Sequence, residues 1–535
     1  MKTPPMPVTR AMGSDFDYAA SKSLEVASTP RVLIAGAGPT GLVLALSLAR
    51  QGIPFRLIDA ADGPGEHSRA MVVQARTLEF YRQFGFADAM VDEGIVVQRL
   101  HLRESGRGGR SREVLQLRFS DLGAGISPYP FALTYPQDDH ERFLEKRLAE
   151  AGSRVERNTA LTGLSQGEAG VRATVTGPNG EEEIAAEYLC GCDGAHSKVR
   201  ETLGLGFAGV TYEQPFFVCD CKVASGFEPD LYANLGEYAL VLLFPVRSSG
   251  MQRLIGLVPP ELSKADNLTF DDIRDRIEPV LGTRVTEVNW FAVYRVHHRV
   301  AERFRERRAF ILGDAAHIHS PAGGQGMNTG IGDAVNLGWK LGGVLRGRTA
   351  ENVLESFEEE RVAFARALVA TTDRAFTAIV APGIAGEFIR RFVAPLAFVA
   401  ATRLPVTRRT FFRLVSQTQI HYPNSSLSEG KAGDVRGGDR LPWVQSIDNY
   451  DPLRSLDWQL HVYGTPGTSV AALCEHLGVA VETFEFSRDV ERAGFARDAS
   501  YLVRPDGYVA LAFEGDEPAS LDAYARDISL ASTAT

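Results

Sequence analysis

Apolar and polar positions follow three rhythms along this chain, and each predicts a different kind of element. Val32-Leu-Ile34 is a short apolar run that predicts a buried strand. Beyond a glycine-rich gap, Leu42 to Ala49 is almost wholly apolar and predicts a buried helix stopped near Gln51-Gly52, with a second strand over Ile53 to Ile58. The rhythm then changes to period two. Glu113 to Phe119 and Val171 to Thr176 alternate as half-buried strands do, and Tyr238 to Phe244 and Arg253 to Val258 predict two more, divided by the turn Pro245 to Gly250. Helical spacing puts Phe143, Leu144 and Leu148 on the inner face of a helix over His140 to Ala151. A buried strand and a glycine-rich turn return over Ala309 to Gly326, followed by helical stretches from Gly330 to about Phe412. Pro423 to Pro442 has little periodicity and reads as a linker. Past it lie a strand at Trp458 to Tyr463, a helix at Ser469 to Leu477, and a hairpin over Tyr501 to Phe513 around Pro505-Asp-Gly507.

The gap between the first strand and helix is Gly36-Ala-Gly38-Pro-Thr-Gly41. In a βαβ unit the first glycine permits the tight turn, the second lets backbone approach a pyrophosphate, and the third lets helix and strand pack closely. Asp59 ends the second strand, where an acid would hold a ribose hydroxyl. Gly204-Leu-Gly206-Phe-Ala-Gly209 matches the same bare pattern without a strand before it or an apolar helix after it, and reads as a loop after a short helix. One dinucleotide fingerprint remains.

Composition narrows the class. At 535 residues, 44% apolar and 23% charged, the chain has the make-up of a multidomain globular protein. A net charge of −10 argues against a nucleic-acid partner and gives no sign of an anionic membrane partner. No apolar run reaches bilayer length, residues 1–30 lack the core of a signal peptide and read as a disordered tail, and the cytoplasm is the expected compartment. Five cysteines leave one over in any pairing. Cys190-Gly-Cys192 and Cys219-Asp-Cys221 are too tightly spaced for ordinary zinc pairs, so thiols packed on a sheet are expected and no metal. Cys474 is the only thiol beyond residue 455, which excludes dithiol redox chemistry there.

Two further motifs complete the pattern. Leu189-Cys-Gly-Cys-Asp193-Gly194-Ala-His-Ser197-Lys-Val-Arg200 runs from a strand into a helix start. Phe310-Ile-Leu-Gly313-Asp314-Ala-Ala-His317 places an acid at the end of a buried strand, ahead of Pro321-Ala-Gly-Gly324-Gln-Gly326-Met327-Asn328. In order and spacing the three motifs resemble the signatures of the FAD-dependent aromatic hydroxylases, the single-component flavoprotein monooxygenases of the p-hydroxybenzoate hydroxylase type. The resemblance covers about residues 30–445, and the carboxy-terminal unit looks like the thioredoxin-like tail of the phenol and polyketide hydroxylase branch.

That resemblance implies an α/β fold: a Rossmann-like FAD-binding domain (31–205 and 301–425, the latter with the helical region), an inserted strand-rich substrate domain (206–300), a linker (426–455), and a small thioredoxin-like α/β domain (456–535) without Cys-x-x-Cys. It implies that Gly36, Gly38 and Gly41 cradle the FAD pyrophosphate and that Asp59 holds the adenosine ribose. Arg69 would face the FAD, Gln137 would lie near the flavin, and Asp314 would hold the ribityl or pyrophosphate region. Gly326, Met327 and Asn328 would lie along the pyrimidine edge of the ring, with the Pro321 carbonyl toward the position where oxygen adds. Asp193 and Arg200 would serve FAD and NAD(P)H. Simpler roles stand beside these: Asp193 as a helix cap, Arg200 as a salt-bridged helix residue, His317 as a packed histidine, and Trp339 as a core anchor. Tyr212, Tyr238, Tyr294, His297 and His298 could meet a substrate or be ordinary sheet residues.

The activity implied is NAD(P)H- and O2-dependent hydroxylation of a phenolic or polycyclic aromatic compound through a flavin C4a-hydroperoxide. Oxidative rearrangement or Baeyer–Villiger-like chemistry on the same scaffold would share every motif, and a non-catalytic FAD-binding protein is the other alternative. Trp290, Trp339, Trp443 and Trp458 do not form the Trp-x-Trp-x-Ile-Pro of a halogenase. The thiol-poor tail is expected to be structural or to support a homodimer.

Overall fold

The computed structural model describes residues 30–531 apart from 66–69, 106–110, 213, 225–226, 237–239, 266, 320–323 and 381–404. The amino-terminal tail and the apolar runs at 381–401 therefore lie outside the described residues, as do Arg69, Tyr238 and Pro321.

The first apolar run forms the strand Val32–Ala35, buried along its whole length. Buried on both sides, it pairs in parallel with Phe55–Ile58 and with Tyr188–Gly191, which pairs in turn with Ala309–Ile311. Continuous apolar sequence is what such a position requires, because both faces of a parallel sheet are covered. The helix Pro39–Arg50 packs against the sheet, and the long helix Gly326–Leu345 packs against that helix. All three signature motifs leave the carboxyl ends of adjacent strands in this six-stranded sheet, where open α/β sheets place their ligands.

A seven-stranded sheet forms the second layer, in the order Val285–Tyr294, Phe216–Val223, Gln252–Leu257, Leu240–Pro245, Leu231–Leu235, Arg99–Ser105, Ser111–Arg118. It draws on more chain than the expected 206–300 segment. Arg99–Ser105 pairs in parallel with Leu231–Leu235, so the strands near residue 100 belong to this sheet rather than to the nucleotide-binding layer. Alternation divides its faces. Cys219 and Cys221 point to one side, where they are buried with Ile273 and Ile277 of the helix Phe270–Leu281. That helix was not expected within a strand-rich insert. A capping box between Thr269 and Asp272 starts it, Gly282 in the left-handed conformation ends it, and Phe270, Ile273, Ile277 and Leu281 give it a buried face. The other sheet face carries Leu100, Leu102, Leu231, Ala233, Leu240 and Leu242 toward a large cavity.

The carboxy-terminal sheet has the order Val435–Arg436, Glu429–Ala432, Val509–Phe513, Ser500–Val503, Gln459–Tyr463, Ala480–Phe484, flanked by the helices Thr468–Leu477 and Pro518–Asp527. Strand, helix and hairpin fall where the sequence rhythm puts them. The expected linker does not behave as one throughout: Glu429 and Gly430 pair in parallel with Leu511 and Ala512, so part of 426–455 is built into the sheet. All five cysteines are buried and unpaired, and the described residues hold no cluster of side chains suited to a metal. Among the described residues no helix is long and apolar enough to cross a membrane.

Candidate active site

Glycine geometry at the end of the first strand is dictated by close backbone contact. Gly36 has φ +102°, and a Cβ there would lie 2.3 Å from the Cys192 carbonyl oxygen. A Cβ on Gly41 would lie 1.9 Å from the Gly36 carbonyl oxygen. Gly38 is different. Its Cβ would meet only a Glu141 carboxylate oxygen, at 4.0 Å, because the position opens into the cavity. Gly38 also caps the helix Pro39–Arg50, so the unbonded amides of the first helical turn face that opening. The cradle fits the pyrophosphate of a dinucleotide.

Asp59 lies beside this turn. Its carboxylate accepts from the Ala37 amide at 2.5 Å and the Ala61 amide at 2.8 Å, with a further lone pair on each oxygen. It therefore braces the glycine turn, a task the motif spacing alone does not reveal. Gln137 and Glu141 stand one helical turn apart on Gln137–Glu150 and both line the cavity. Gln137 donates to Glu141 at 2.8 Å, and the Gly65 amide donates to the other Glu141 oxygen at 3.1 Å. Burial raises the Glu141 carboxyl above its ordinary range, against these two hydrogen bonds.

Asp193 stands just ahead of a short helix. Its oxygens accept from the Ser197 hydroxyl and, at 3.1 Å, from the Val199 amide, while Ser197 caps the helix Lys198–Thr202. Of the two roles the sequence allowed, the cap is the one these bonds make, because a carboxylate four residues before a serine cap reaches the open amides of the first turn. Gly194 and Arg200 line the cavity. The Arg200 guanidinium donates to the Ala315 and Ala195 carbonyls at 2.8 and 2.9 Å and sits 3.8 Å over the Phe207 ring, which fixes it beside the third motif.

Asp314 is exposed to the cavity on the short turn Gly313–Ala315. The turn is held from behind by Asp333, fully buried in the helix Gly326–Leu345. Asp333 accepts from the Gly313 amide at 3.0 Å, from Nε2 of His317 at 2.7 Å and from Nε of Arg361 at 2.6 Å. Burial alone would raise this carboxyl, but Arg361 and His317 bring it down to about 2. His317 is therefore a packed support for the turn, and the Asp333–Arg361 pair behind it was missed in the sequence. The available signal was Asp333, Asn336 and Lys340, one polar stripe on a helix that is apolar elsewhere beyond its first turn.

That helix begins at the cavity, with Gly326 and Met327 in its wall. Asn328 is buried behind them. Its amide donates to the Val72 and Gly324 carbonyls, both at 2.8 Å, and its oxygen accepts from the Gln74 amide and the Thr77 hydroxyl. Its side chain thus staples the helix start to the neighbouring chain rather than facing the opening.

The cavity has a volume of about 1410 Å³ and runs from Gly38 past Asp314 and Gly326 to the apolar face of the seven-stranded sheet. Of the aromatic and histidine candidates in the insert, Tyr294 and His297 line it, while Tyr212 and His298 meet each other through a 3.3 Å hydrogen bond. Phe411 and Phe412 close another wall.

Residues 29–372 match the family described as FAD binding domain. The chain is 34% identical to 6-methylpretetramide 4-monooxygenase of Streptomyces rimosus, over 90% of this chain and 91% of that protein. Among solved structures it resembles an anhydrotetracycline hydroxylase from Streptomyces rimosus, with a TM-score of 0.74 and 28% identity over 94% of this chain and 99% of the other. It also resembles aklavinone-11 hydroxylase in ternary complex with FAD and aklavinone, with a TM-score of 0.75 and 25% identity over 93% of this chain and 98% of the other.

Proposed function

The chain belongs to the FAD-dependent aromatic hydroxylases, and from that premise we propose that it uses NAD(P)H and O2 to hydroxylate a polycyclic phenolic compound. The observation that carries this reading is the continuous cavity. It joins a pyrophosphate cradle, an exposed aspartate and a helix start to a broad apolar sheet face. Its volume exceeds the roughly 300–1,000 Å³ of an ordinary single-ligand site, which leaves room for a large substrate beside the cofactor. The similar proteins named for 6-methylpretetramide, anhydrotetracycline and aklavinone support the same class.

FAD, when bound, supplies both the acceptance of hydride from the nicotinamide and the activation of oxygen. The protein supplies position and exclusion of water. Gly36, Gly38 and Gly41 with the first helical turn would hold the pyrophosphate, Asp59 a ribose hydroxyl, and Asp314 the ribityl region. The amino end of the helix Gly326–Leu345 would stabilise negative charge on the pyrimidine edge of the ring beside Gly326 and Met327. Gln137 would lie near the flavin and Arg69 would face the FAD, with the Pro321 carbonyl toward the position where oxygen adds. Asp193 would act at one remove, by orienting Gly194 and Arg200. Leu100, Leu242 and their neighbours would hold the substrate ring and keep water from the reacting region.

The test is consumption of NADH and NADPH by the FAD-loaded protein across simple and polycyclic phenols, with product masses read in parallel. Stimulated consumption with a gain of one oxygen by a polycyclic phenol is expected. Consumption that never transfers oxygen would overturn hydroxylation, and transfer confined to simple phenols would overturn the substrate class.

A further inference from the structure

The carboxy-terminal unit reaches the rest of the molecule through charges that no solvent touches. Arg504 is 0% and Asp506 1% exposed, on the hairpin that turns at Gly507. The Arg504 guanidinium donates to both oxygens of Glu360, at 2.6 and 3.1 Å, and to both oxygens of Asp506, at 3.0 and 2.5 Å. Glu360 also accepts from Lys340 at 2.9 Å, from Asn336 at 2.5 Å and from the Ser425 hydroxyl at 2.7 Å. Asp506 takes the Trp339 indole N–H at 3.0 Å. Lys340 and Arg504 offset Glu360 and Asp506, so the cluster is neutral as a whole. Ionic groups this deeply buried are stable only as a complete set, since removing one leaves its partner uncompensated.

Glu360 lies on the helix Glu355–Val380, and the next residue along it is Arg361, whose Nε holds Asp333, which holds the Gly313 amide of the Asp314 turn. Adjacent helical residues point about 100° apart. Glu360 thus grips the carboxy-terminal unit while Arg361 grips the cofactor turn, and fixing one sets the rotation of the other. A second strand of the same connection runs through Tyr422. Its hydroxyl accepts from Arg361 Nη1 at 2.8 Å, and its ring packs 4.7 Å from that of Tyr508 in the carboxy-terminal unit.

We propose that Arg504, Glu360 and Tyr422 are positioning residues for FAD: through Arg361 and Asp333, they let the carboxy-terminal unit set the geometry of the Gly313–Asp314 turn. A tail without a dithiol then has a definite task in the cofactor site. The inference rests on the reading of Asp314 as an FAD ligand.

A matched control is built into the fold. Arg348 ties the same unit to the far end of the helix Gly326–Leu345, about 30 Å from its start, by donating to the Leu477 and Gly478 carbonyls at 2.6 and 2.8 Å. The experiment measures FAD dissociation constants, the visible absorbance and circular dichroism of bound flavin, and melting temperatures without FAD, for the full chain. The variants are Tyr422→Phe, Arg504→Ala, Arg504→Lys, Arg348→Met and Asp314→Asn. We expect Tyr422→Phe and Arg504→Ala to weaken FAD by about threefold to thirtyfold, the range for residues coupled to a site through a packed network, and to shift the flavin spectrum. Arg504→Lys should recover part of the loss. Arg348→Met should lower the melting temperature yet bind FAD with the parental constant and spectrum.

Equal FAD loss in Arg348→Met would reduce the seam to general stability and overturn the proposal. If Arg504→Ala does not fold, Tyr422→Phe, which removes a single hydroxyl, decides alone. Parental affinity in Asp314→Asn would refute the reading of Asp314, and the proposal with it. Weakened affinity in Asp314→Asn beside parental affinity and spectrum in Tyr422→Phe would overturn the proposal only.

Discussion

At the glycine-turn end of the cavity the wall is backbone: Gly36 and Gly41 lie against carbonyl oxygens, and Gly38 presents its main chain to the opening. At the sheet end the wall is side chain, with Leu100, Leu102, Leu240 and Leu242 projecting from one face of strands that share no motif. At Gly36 and Gly41 the packed backbone tolerates no added atom, and at Gly38 the exposed main chain suits a fixed chemical group. An apolar side-chain wall can be recut residue by residue while the strands beneath it stay paired, which is what a family with one cofactor and many substrates needs.

The sharpest test of that contrast lies within the glycines. In Gly41→Ala the new methyl meets a carbonyl oxygen at 1.9 Å, so the strand–helix junction must part, and the purified protein should carry no flavin. Gly38→Ala has nothing closer than 4.0 Å in the protein, so its FAD-free melting temperature should stay parental while FAD affinity falls. Equilibrium dialysis beside a melting curve reads both, and parental FAD affinity in Gly38→Ala would mean the pyrophosphate lies elsewhere. The converse holds at the other end. Ala233→Trp fills part of the sheet side of the cavity. It should leave FAD affinity unchanged and lower kcat/KM for a large substrate by about tenfold to two-hundredfold, the scale of pocket discrimination.

A smaller effect comes from acid. His140 is buried on the same helix as Gln137 and Glu141 with its Nε2 on the Tyr81 hydroxyl, and burial holds its pKa down to about 3. Between pH 6.5 and 3 the unfolded chain binds a proton there that the folded one does not, so stability falls as pH falls through that window. At pH 5 the loss is about 2 kcal/mol from this group alone. His140→Gln should flatten that part of the pH–stability curve, and an unchanged slope would show that the histidine is already protonated in the fold.

The same contrast explains what could be read from the sequence. Gly36, Gly38, Gly41, Asp59 and Asp314 stand in short motifs whose geometry is local, so spacing alone located the turns that carry them. The wall opposite depends on register between strands far apart in the chain: Arg99 and Asp230, neighbours across the parallel pair, are separated by 131 residues. Nothing in the alternation of residues 99–118 says which sheet they join. Asp193 was legible as an acid near a helix start, but its direction depended on Ser197 and the amide of Val199. The buried seam stayed hidden for a related reason. Arg504 lies 144 residues from Glu360, and only their meeting turns two surface-like residue types into core. The short strand Glu429–Ala432 escaped because its polar composition takes shape only against Val509–Phe513.

The parallel pairings also impose an order on biosynthesis. Val32–Ala35 needs Tyr188–Gly191, which needs Ala309–Ile311, so the central sheet is incomplete until some 280 further residues have left the ribosome, about 15 to 55 s at ordinary elongation rates. Through that interval the nearly all-apolar helix Pro39–Arg50 has not yet met Gly326–Leu345, against which it packs in the finished protein. The nascent chain therefore carries an adhesive amino-terminal segment that its own later sequence must cover. Flavin cannot shorten the wait, because Asp314 emerges after the last of these strands. Yield in the cell should depend on holding that segment soluble during translation more than on the supply of cofactor.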